Sequence, residues 1–480
     1  MKKLRLLGLL GVLITRMSFA AEAPQSFKSY LAQKKHLDEG ISLALHHQSK
    51  EALKVFEELG GKSNPVAQYY FAAYLERGTG IRKDRPRARK IYREVATAIG
   101  AFAVKGDAVS QYTVGSMYAN EQGFKRNAAK SAMWYRKAAD QGYAAAQCDL
   151  GLQYANGFGV RKNYGKAVTW LRKAAEQDYA KAQYSLGVMY AYGTGVKQSD
   201  VEAVKWFRKA AEQGYADAQY NLSVLYSKGT GLEQSDTEAI KWARKAAEQN
   251  LAGAQGFLGE SYEKGIGVAV NYSEAAKWYG KAALHGDTLS QFLLGQMYYQ
   301  GRGVKKNYAE AMKWYRKAAE HGYAAAQTYL GVMYANGEGT AKNEKEALKW
   351  YSKAANLGDA SAQNNLGFLY KNGTGVPQNY ATALEWFNKS ADQGFYGGQN
   401  NLAIMYLDGT GIKKDYNEAV KWFRKAAEQG YDKAQNNLGI MYAKGTGVKQ
   451  DYEEAIKWFK KAAAQGFVEA QRNLQAMHAE

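Results

Sequence analysis

Apolar residues along this chain recur three and four places apart in runs of about a dozen, and glycine-rich breaks divide the runs. That pattern predicts amphipathic α-helices joined by short turns. In the stretch from Ala434, the residues Ala434, Leu438, Gly439, Met441 and Tyr442 share one helical face, and Gly445-Thr446-Gly447 ends it. A second helix is predicted to start at Asp451, with Glu454 three residues on. This is a capping box, in which each side chain is expected to satisfy the other residue's backbone N–H. The box recurs as Ser199/Glu202, Ser235/Glu238, Asn271/Glu274, Asn307/Glu310, Asn343/Glu346 and Asp415/Glu418. The second helix carries Ala, an aliphatic residue, Trp and paired alanines, and a glycine such as Gly214 closes it. Small residues at Gly187, Ala218 and Gly259 let the paired helices approach closely.

The helix pair repeats. Tryptophans fall at 134, 170, 206, 242, 278, 314, 350, 386, 422 and 458, each 36 residues after the last, and none lies off this grid. Glutamines at 111, 147, 183, 219, 255, 291, 327, 363, 399 and 435 open the same units, and Gln471 opens one that the chain does not complete. The string KWFRKAAEQGY at 205–215 returns unchanged at 421–431. Self-similarity at this period signifies stacked units, each burying the rest of its apolar face only against a neighbour. The tryptophan is predicted to fill the space between one unit and the next.

The residues resemble the Sel1-like repeat, a relative of the tetratricopeptide repeat. The match rests on Ala-x-Ala-Gln-x-x-Leu-Gly-x-x-Tyr, then Gly-x-Gly-Val, then Ala-x-x-Trp-aromatic-x-Lys-Ala-Ala-x-x-Gly, nearly whole in 182–214. Ten clear copies are joined by a variant first one at Gln68, 43 residues long, with Ile91 in the tryptophan position. Its seven extra residues amount to about two helical turns, which predicts a longer second helix. The resemblance implies an all-α, right-handed superhelical solenoid of about eleven helix-turn-helix repeats. The expected organisation is a signal peptide at 1–20, N-terminal helices with a degenerate half-repeat at 21–63 (Val55 in the tryptophan register), the repeats at 64–465 and a capping helix at 466–480.

Lys2, Lys3 and Arg5, the apolar run LLGLLGVLIT and Ser18-Phe19-Ala20 read as an export signal cut after Ala20. The run is too short to span a bilayer, and no other stretch approaches the roughly 20 apolar residues a membrane helix needs. A periplasmic or secreted bacterial protein is expected. The formal net charge is +20, near +16 once the four signal cations are subtracted. Lysine follows every tryptophan by three places, from Lys137 to Lys461. The plain reading is a solvated face, and the sharper one a basic stripe for an acidic polymer. Nucleic acid is not expected. Cys148 stands alone, so no internal disulfide forms. It occupies the slot of Tyr184 and Tyr220, either as a neutral replacement or as a free reactive thiol.

No catalytic constellation emerges. His36, His46, His47, His285, His321 and His478 lack metal-ligand spacing, and no metal or cofactor is expected. The recurring Gly-Thr-Gly-Val lacks the context of a phosphate-binding loop and marks the turn. A binding protein is therefore expected rather than an enzyme. With the glutamine at zero and 100° per residue, positions −1, 0, +3, +4, +6 and +7 form the packing side, and −2, +1, +5 and +8 point away. By resemblance these four face a concave groove that takes a protein or peptide partner. At +1 stand Tyr69, Tyr112, Tyr184, Tyr220 and Phe292, then Asn364, Asn400 and Asn436. Stiff aromatics offer contact area, and asparagines can bind peptide amides. At +5 stand Val188, Val224, Val332, Phe368, Ile404 and Ile440, and at +8 Tyr299, Lys371 and Leu407, beside Glu263. Two readings stand open for the tyrosines and the +5 row: groove lining, or packing between adjacent helices. Repeats around 255–299 and 363–407 depart most from the common pattern. The resemblance implies roles in assembling complexes, controlling cell-wall enzymes or engaging host proteins.

Overall fold

The computed structural model describes residues 24–45, 48–61 and 63–479. The proposed signal at 1–20, its cut after Ala20, and His46 and His47 lie outside the described residues, as does the side chain of His478. Among the described residues are twenty-five α-helices and no strand. The chain divides into two units, one ending at Ala254 and the other beginning at Gln255. In the first, α1 (Pro24–Leu45) and α2 (Ser49–Gly61) form a leading pair. The repeats follow as α3 (Pro65–Arg77) with α4 (Arg85–Val104), α5 (Ala108–Asn120) with α6 (Ala128–Asp140), α7 (Ala144–Asn156) with α8 (Tyr164–Ala175), and α9 (Ala180–Tyr192) with its partner Asp200–Glu212. The second unit obeys the same rule and closes with the helix Val468–Ala479. Within each repeat the first helix is helix A and the second helix B.

The long first repeat behaves as its extra residues require: α4 has 20 residues where α6 has 13. Val55 is buried in the core of the leading pair, in the register that tryptophan takes later.

Helix A meets helix B of its own repeat through a glycine set against a ring. A Cβ on Gly187 would stand 2.8 Å from the Phe207 ring, and one on Gly331 2.5 Å from Tyr351. Where the ring shrinks to Ala243, the opposing residue grows to Ser223, so volume is kept. Tryptophan joins successive repeats. Trp242 packs with Val204 and Phe207 of the preceding helix B and Leu222 of its own helix A, and Trp350 and Trp458 do the same in the second unit.

The glutamine ladder is a buried polar spine. Gln183 Nε2 donates to the Ala175 carbonyl at 3.2 Å, and its Oε1 accepts from Gln213 Nε2 at 2.7 Å. The pair of bonds recurs at Gln111, Gln147, Gln219, Gln363, Gln399 and Gln435. Each closes the end of helix B over the next helix A, and each bond contributes on the order of 1 kcal/mol.

The capping box is only half of what the sequence predicts. The cap side chain does accept from the third helical N–H, as Asp451 Oδ1 does from Glu454 at 3.0 Å. The cap's own N–H is taken instead by a helix A carbonyl: Ser199 donates to Tyr190 at 3.0 Å and Asp451 to Tyr442 at 3.0 Å. With that donor satisfied, the glutamate turns outward and pairs with the lysine three places on, as in Glu202–Lys205 and Glu454–Lys457.

Candidate binding site

The lysines of helix B that follow the tryptophans are held against aromatic rings in every repeat from the second on. Every lysine three places after a tryptophan lies over that indole, with Nζ 3.9–4.9 Å from the ring centre. The arginine before it reaches forward to the tyrosine hydroxyl of the next helix A, as Arg172 does to Tyr190 and Arg208 to Tyr226. Basic residues on this face therefore tie the repeats together through cation–π contacts and hydrogen bonds.

On helix A, position +1 is more enclosed than 100° geometry predicts. Phe292, Asn400 and Asn436 are buried, and Tyr184, Tyr220 and Asn364 are half-buried. Tyr184 lies against Phe207 and Tyr215, and Phe292 against Tyr315, Tyr323 and Tyr329. The asparagines hydrogen-bond to one another. Asn401 donates to Asn364 Oδ1 at 2.8 Å, Asn437 to Asn400 Oδ1 at 3.2 Å and Asn473 to Asn436 Oδ1 at 2.9 Å. The acceptors assigned to a peptide are thus engaged by the following repeat, and stacking, absent from a single-helix wheel, is the reason.

At +5, Val188, Val224, Ile404 and Ile440 are half-buried, and Phe368 is 52% exposed. At +8, Leu407 is half-buried in the cluster around Phe423, and Lys371 is also half-buried. Tyr299 donates to Glu338 Oε2 at 2.8 Å and shares an aromatic cluster with Phe292 through Tyr315 and Tyr329. Cys148 is fully buried, and burial pushes its thiol up, which disfavours the reactive thiolate.

A cavity of about 610 Å³ opens on the A helices of the first unit, where the +1 row begins with Tyr69 and Tyr112, ahead of the repeats around 255–299 and 363–407 that depart most from the common pattern. Four successive A helices line it: Tyr69, Tyr70, Tyr74 and Arg77 from α3, Tyr112, Ser116 and Asn120 from α5, Asp149, Gln153 and Asn156 from α7, and Lys181 from α9. Burial pushes the Tyr70 phenol up to about 12, so the rings are neutral donors. Asp149 accepts from Tyr112 at 3.1 Å and from Lys181 at 2.7 Å. Burial pulls the Lys181 ammonium down, but the Asp149 charge outweighs it and the net shift is upward. The edge is different: Asn120, Asn156 and Arg77 are exposed, and their side chains make no hydrogen bond or ion pair within the described residues. The signal for the two amides was present, since both stand nine places after the glutamine of consecutive repeats. Among the described residues no cluster of His, Cys, Asp and Glu could hold a metal, and no helix is long and apolar enough to cross a membrane.

The Sel1 repeat matches eleven segments, running from 65–97 and 108–143 through to 397–431 and 432–467. The chain belongs to the Sel1-repeat family. This Sel1-repeat chain is similar to the crystal structure of c5321, a protective antigen of uropathogenic Escherichia coli strains with an SLR fold. The identity is 35%, the TM-score 0.74, and the match covers 89% of this chain and 90% of that one. A Sel1 repeat protein from Oxalobacter formigenes is 32% identical, with a TM-score of 0.52, over 64% of this chain and 89% of the other. No curated protein matches the chain. Sel1-repeat proteins are generally protein-interaction scaffolds, and the fold is a non-catalytic one.

Proposed function

We propose that this Sel1-repeat protein is a non-enzymatic scaffold of the bacterial envelope, or a secreted one, that binds an extended protein segment along the A helices of its first unit. The observation that carries the reading is the cavity bounded by α3, α5, α7 and α9. It combines neutral aromatic rings with two exposed, uncommitted amides one repeat apart. Tyrosine rings supply contact area at small entropic cost, and an asparagine amide can pair with both N–H and C=O of a peptide. Arg77 at one end favours a segment bearing a carboxylate there. Export is supported by the N-terminal cationic and apolar run, and the similar c5321 is described as a protective antigen.

The test is selection of a display library of random linear peptides on the full chain. Enriched peptides are expected to bind with little salt dependence and to lose about tenfold or more on Asn120→Asp with Asn156→Asp, which removes donors at both amides. Failure to enrich, or equal binding to the double variant, would overturn the groove.

A further inference from the structure

The positive charge of the chain is not spread with its repeats. Residues 65–180 carry 19 Lys and Arg against 9 Asp and Glu, a net +10, whereas residues 181–480 carry 36 against 30, a net +6. The excess gathers at the turn between helices A and B and in the first turn of helix B. The turns hold the pairs Arg82-Lys83, Lys125-Arg126 and Arg161-Lys162, and the third helical position holds Arg87, Lys130 and Lys166. Seven later repeats have glutamate at that third position.

Cations in the first turn of a helix oppose its dipole, at a few tenths of a kcal/mol to about 1 kcal/mol each. None of the three is offset by an ion pair, because the glutamate that pairs later is absent. All nine side chains are exposed. The third repeat also shows a recess of about 560 Å³, lined by Arg161, Lys162 and Lys166 together with Tyr154, Val160 and Asn163.

We propose that this edge of the first three repeats binds a linear acidic polysaccharide, with an acidic group seated among Arg161, Lys162 and Lys166. The neighbouring groups favour a sugar polymer. The Asn163 and Tyr154 oxygens already accept from the Lys166 backbone N–H and from Arg136, which leaves the Asn163 amide N–H and the Tyr154 O–H as donors in the recess, suited to sugar oxygens lying between acidic groups. Stacking of nucleobases is disfavoured because the nearby rings each have a cation over one face: Arg126 lies 5.1 Å over Phe158, Lys130 5.3 Å over Tyr118, Lys162 4.7 Å over Tyr164 and Lys166 5.6 Å over Tyr154. The site is separate from the A-helix groove and does not rest on it.

The experiment is titration of the full chain with a heparin oligosaccharide, with neutral dextran as control and single-stranded DNA of equal charge as rival. Heparin is expected to bind, and binding should weaken steeply with salt. The triple change Arg161→Gln, Lys162→Gln, Lys166→Gln should weaken it by about tenfold or more. Lys413→Gln, Lys414→Gln, Lys449→Gln, which removes the same charge from the second unit, should change it less than about twofold. Thermal melting of both variants checks that each is folded. Equal losses from the two triples would show a general charge effect and overturn the site. DNA binding more tightly than heparin would overturn the polysaccharide assignment.

Discussion

A buried amide oxygen without a donor is costly, and Gln327 carries one. The cause lies 30 residues on, where the other repeats of the polar spine place Gln141, Gln177, Gln213 or Gln393 and this one places Leu357. Leu357 is 58% exposed, so its apolar side chain gains little from burial where it stands. Leu357→Gln should restore the missing donor and stabilise the repeat by about 1 kcal/mol. A repeat array need not unfold in one step, so the readout is local hydrogen exchange rather than a global midpoint. Slower exchange at the N-terminus of helix Ala324–Asn336 is the expected result, and unchanged exchange there would mean that Oε1 finds a donor without help.

The turn between helices A and B shows how one element serves its neighbour. Its first glycine, such as Gly445, needs a positive φ, and a Cβ there would stand no nearer than 3.1 Å to Gln450 Cβ and 3.3 Å to the Gln450 backbone N; Glu121 takes that place in the second repeat at φ 60°. Its second glycine is present in all eleven repeats. At Gly447, with φ 71°, a Cβ would also stand 2.4 Å from the Tyr416 carbonyl oxygen at the start of the preceding helix B. Gly447→Ala should therefore cost clearly more than Gly445→Ala, which pays only the roughly 1 kcal/mol or so of left-handed strain. Hydrogen exchange in the helices Tyr416–Glu428 and Tyr452–Ala464 ranks the two variants, and equal acceleration would remove the close approach as a cause.

Helices, turns, caps and the close approach of helices at small residues such as Gly187 were legible in one repeat, because each depends on near neighbours in sequence. The asparagine chain, the outward turn of the capping glutamates and the closing of Tyr69 and Tyr112 of the +1 row into a cavity on α3 to α9 were not. Each is set by what the next repeat brings within reach. The leading helix α1 was legible only as a helix. Its latch, in which Tyr30 donates to Asp107 Oδ2 at 2.8 Å and Lys34 to Oδ1 at 2.7 Å, joins residues more than 70 places apart. Burial pushes the Asp107 carboxyl up, but hydrogen bonds from Lys34, Ser110 and Tyr30 outweigh it and hold the group below its ordinary 3.8. A lowered carboxylate contributes stability above its unfolded value and loses it as pH falls through the folded one. Tyr30, raised by burial and by the Asp107 charge, contributes below its ordinary 10.0 and loses that stability above it. Asp38 is raised by burial and acts in the opposite sense on the acid side, so a variant must isolate Asp107. Asp107→Asn keeps a good helix cap. It should speed hydrogen exchange in α1 at neutral pH by several-fold and remove most of the further loss seen below about pH 4.

Charge distribution sets a gradient along the molecule. Residues 65–180 hold a net +10 in a little over a hundred residues, and their exposed cations repel one another within the Debye length of about 10 Å that holds at 0.1 M salt. In the later repeats, glutamates at the third helical position neutralise a lysine on the same turn, so the self-repulsion is smaller. Raising salt should therefore affect the two stretches differently. Screening relieves repulsion in the first three repeats, while in residues 181–480 it weakens exposed ion pairs that contribute little to begin with. Hydrogen exchange of the full chain at about 0.02 and 0.5 M salt is expected to show slower opening at high salt in α4, α6 and α8 and little change in the helices beyond residue 200. A uniform response would mean that the clustered cations are too well solvated to strain the fold. A selective one would show that these repeats hold unfavourable charge at a cost in stability, which is the condition under which a bound polyanion stabilises them most.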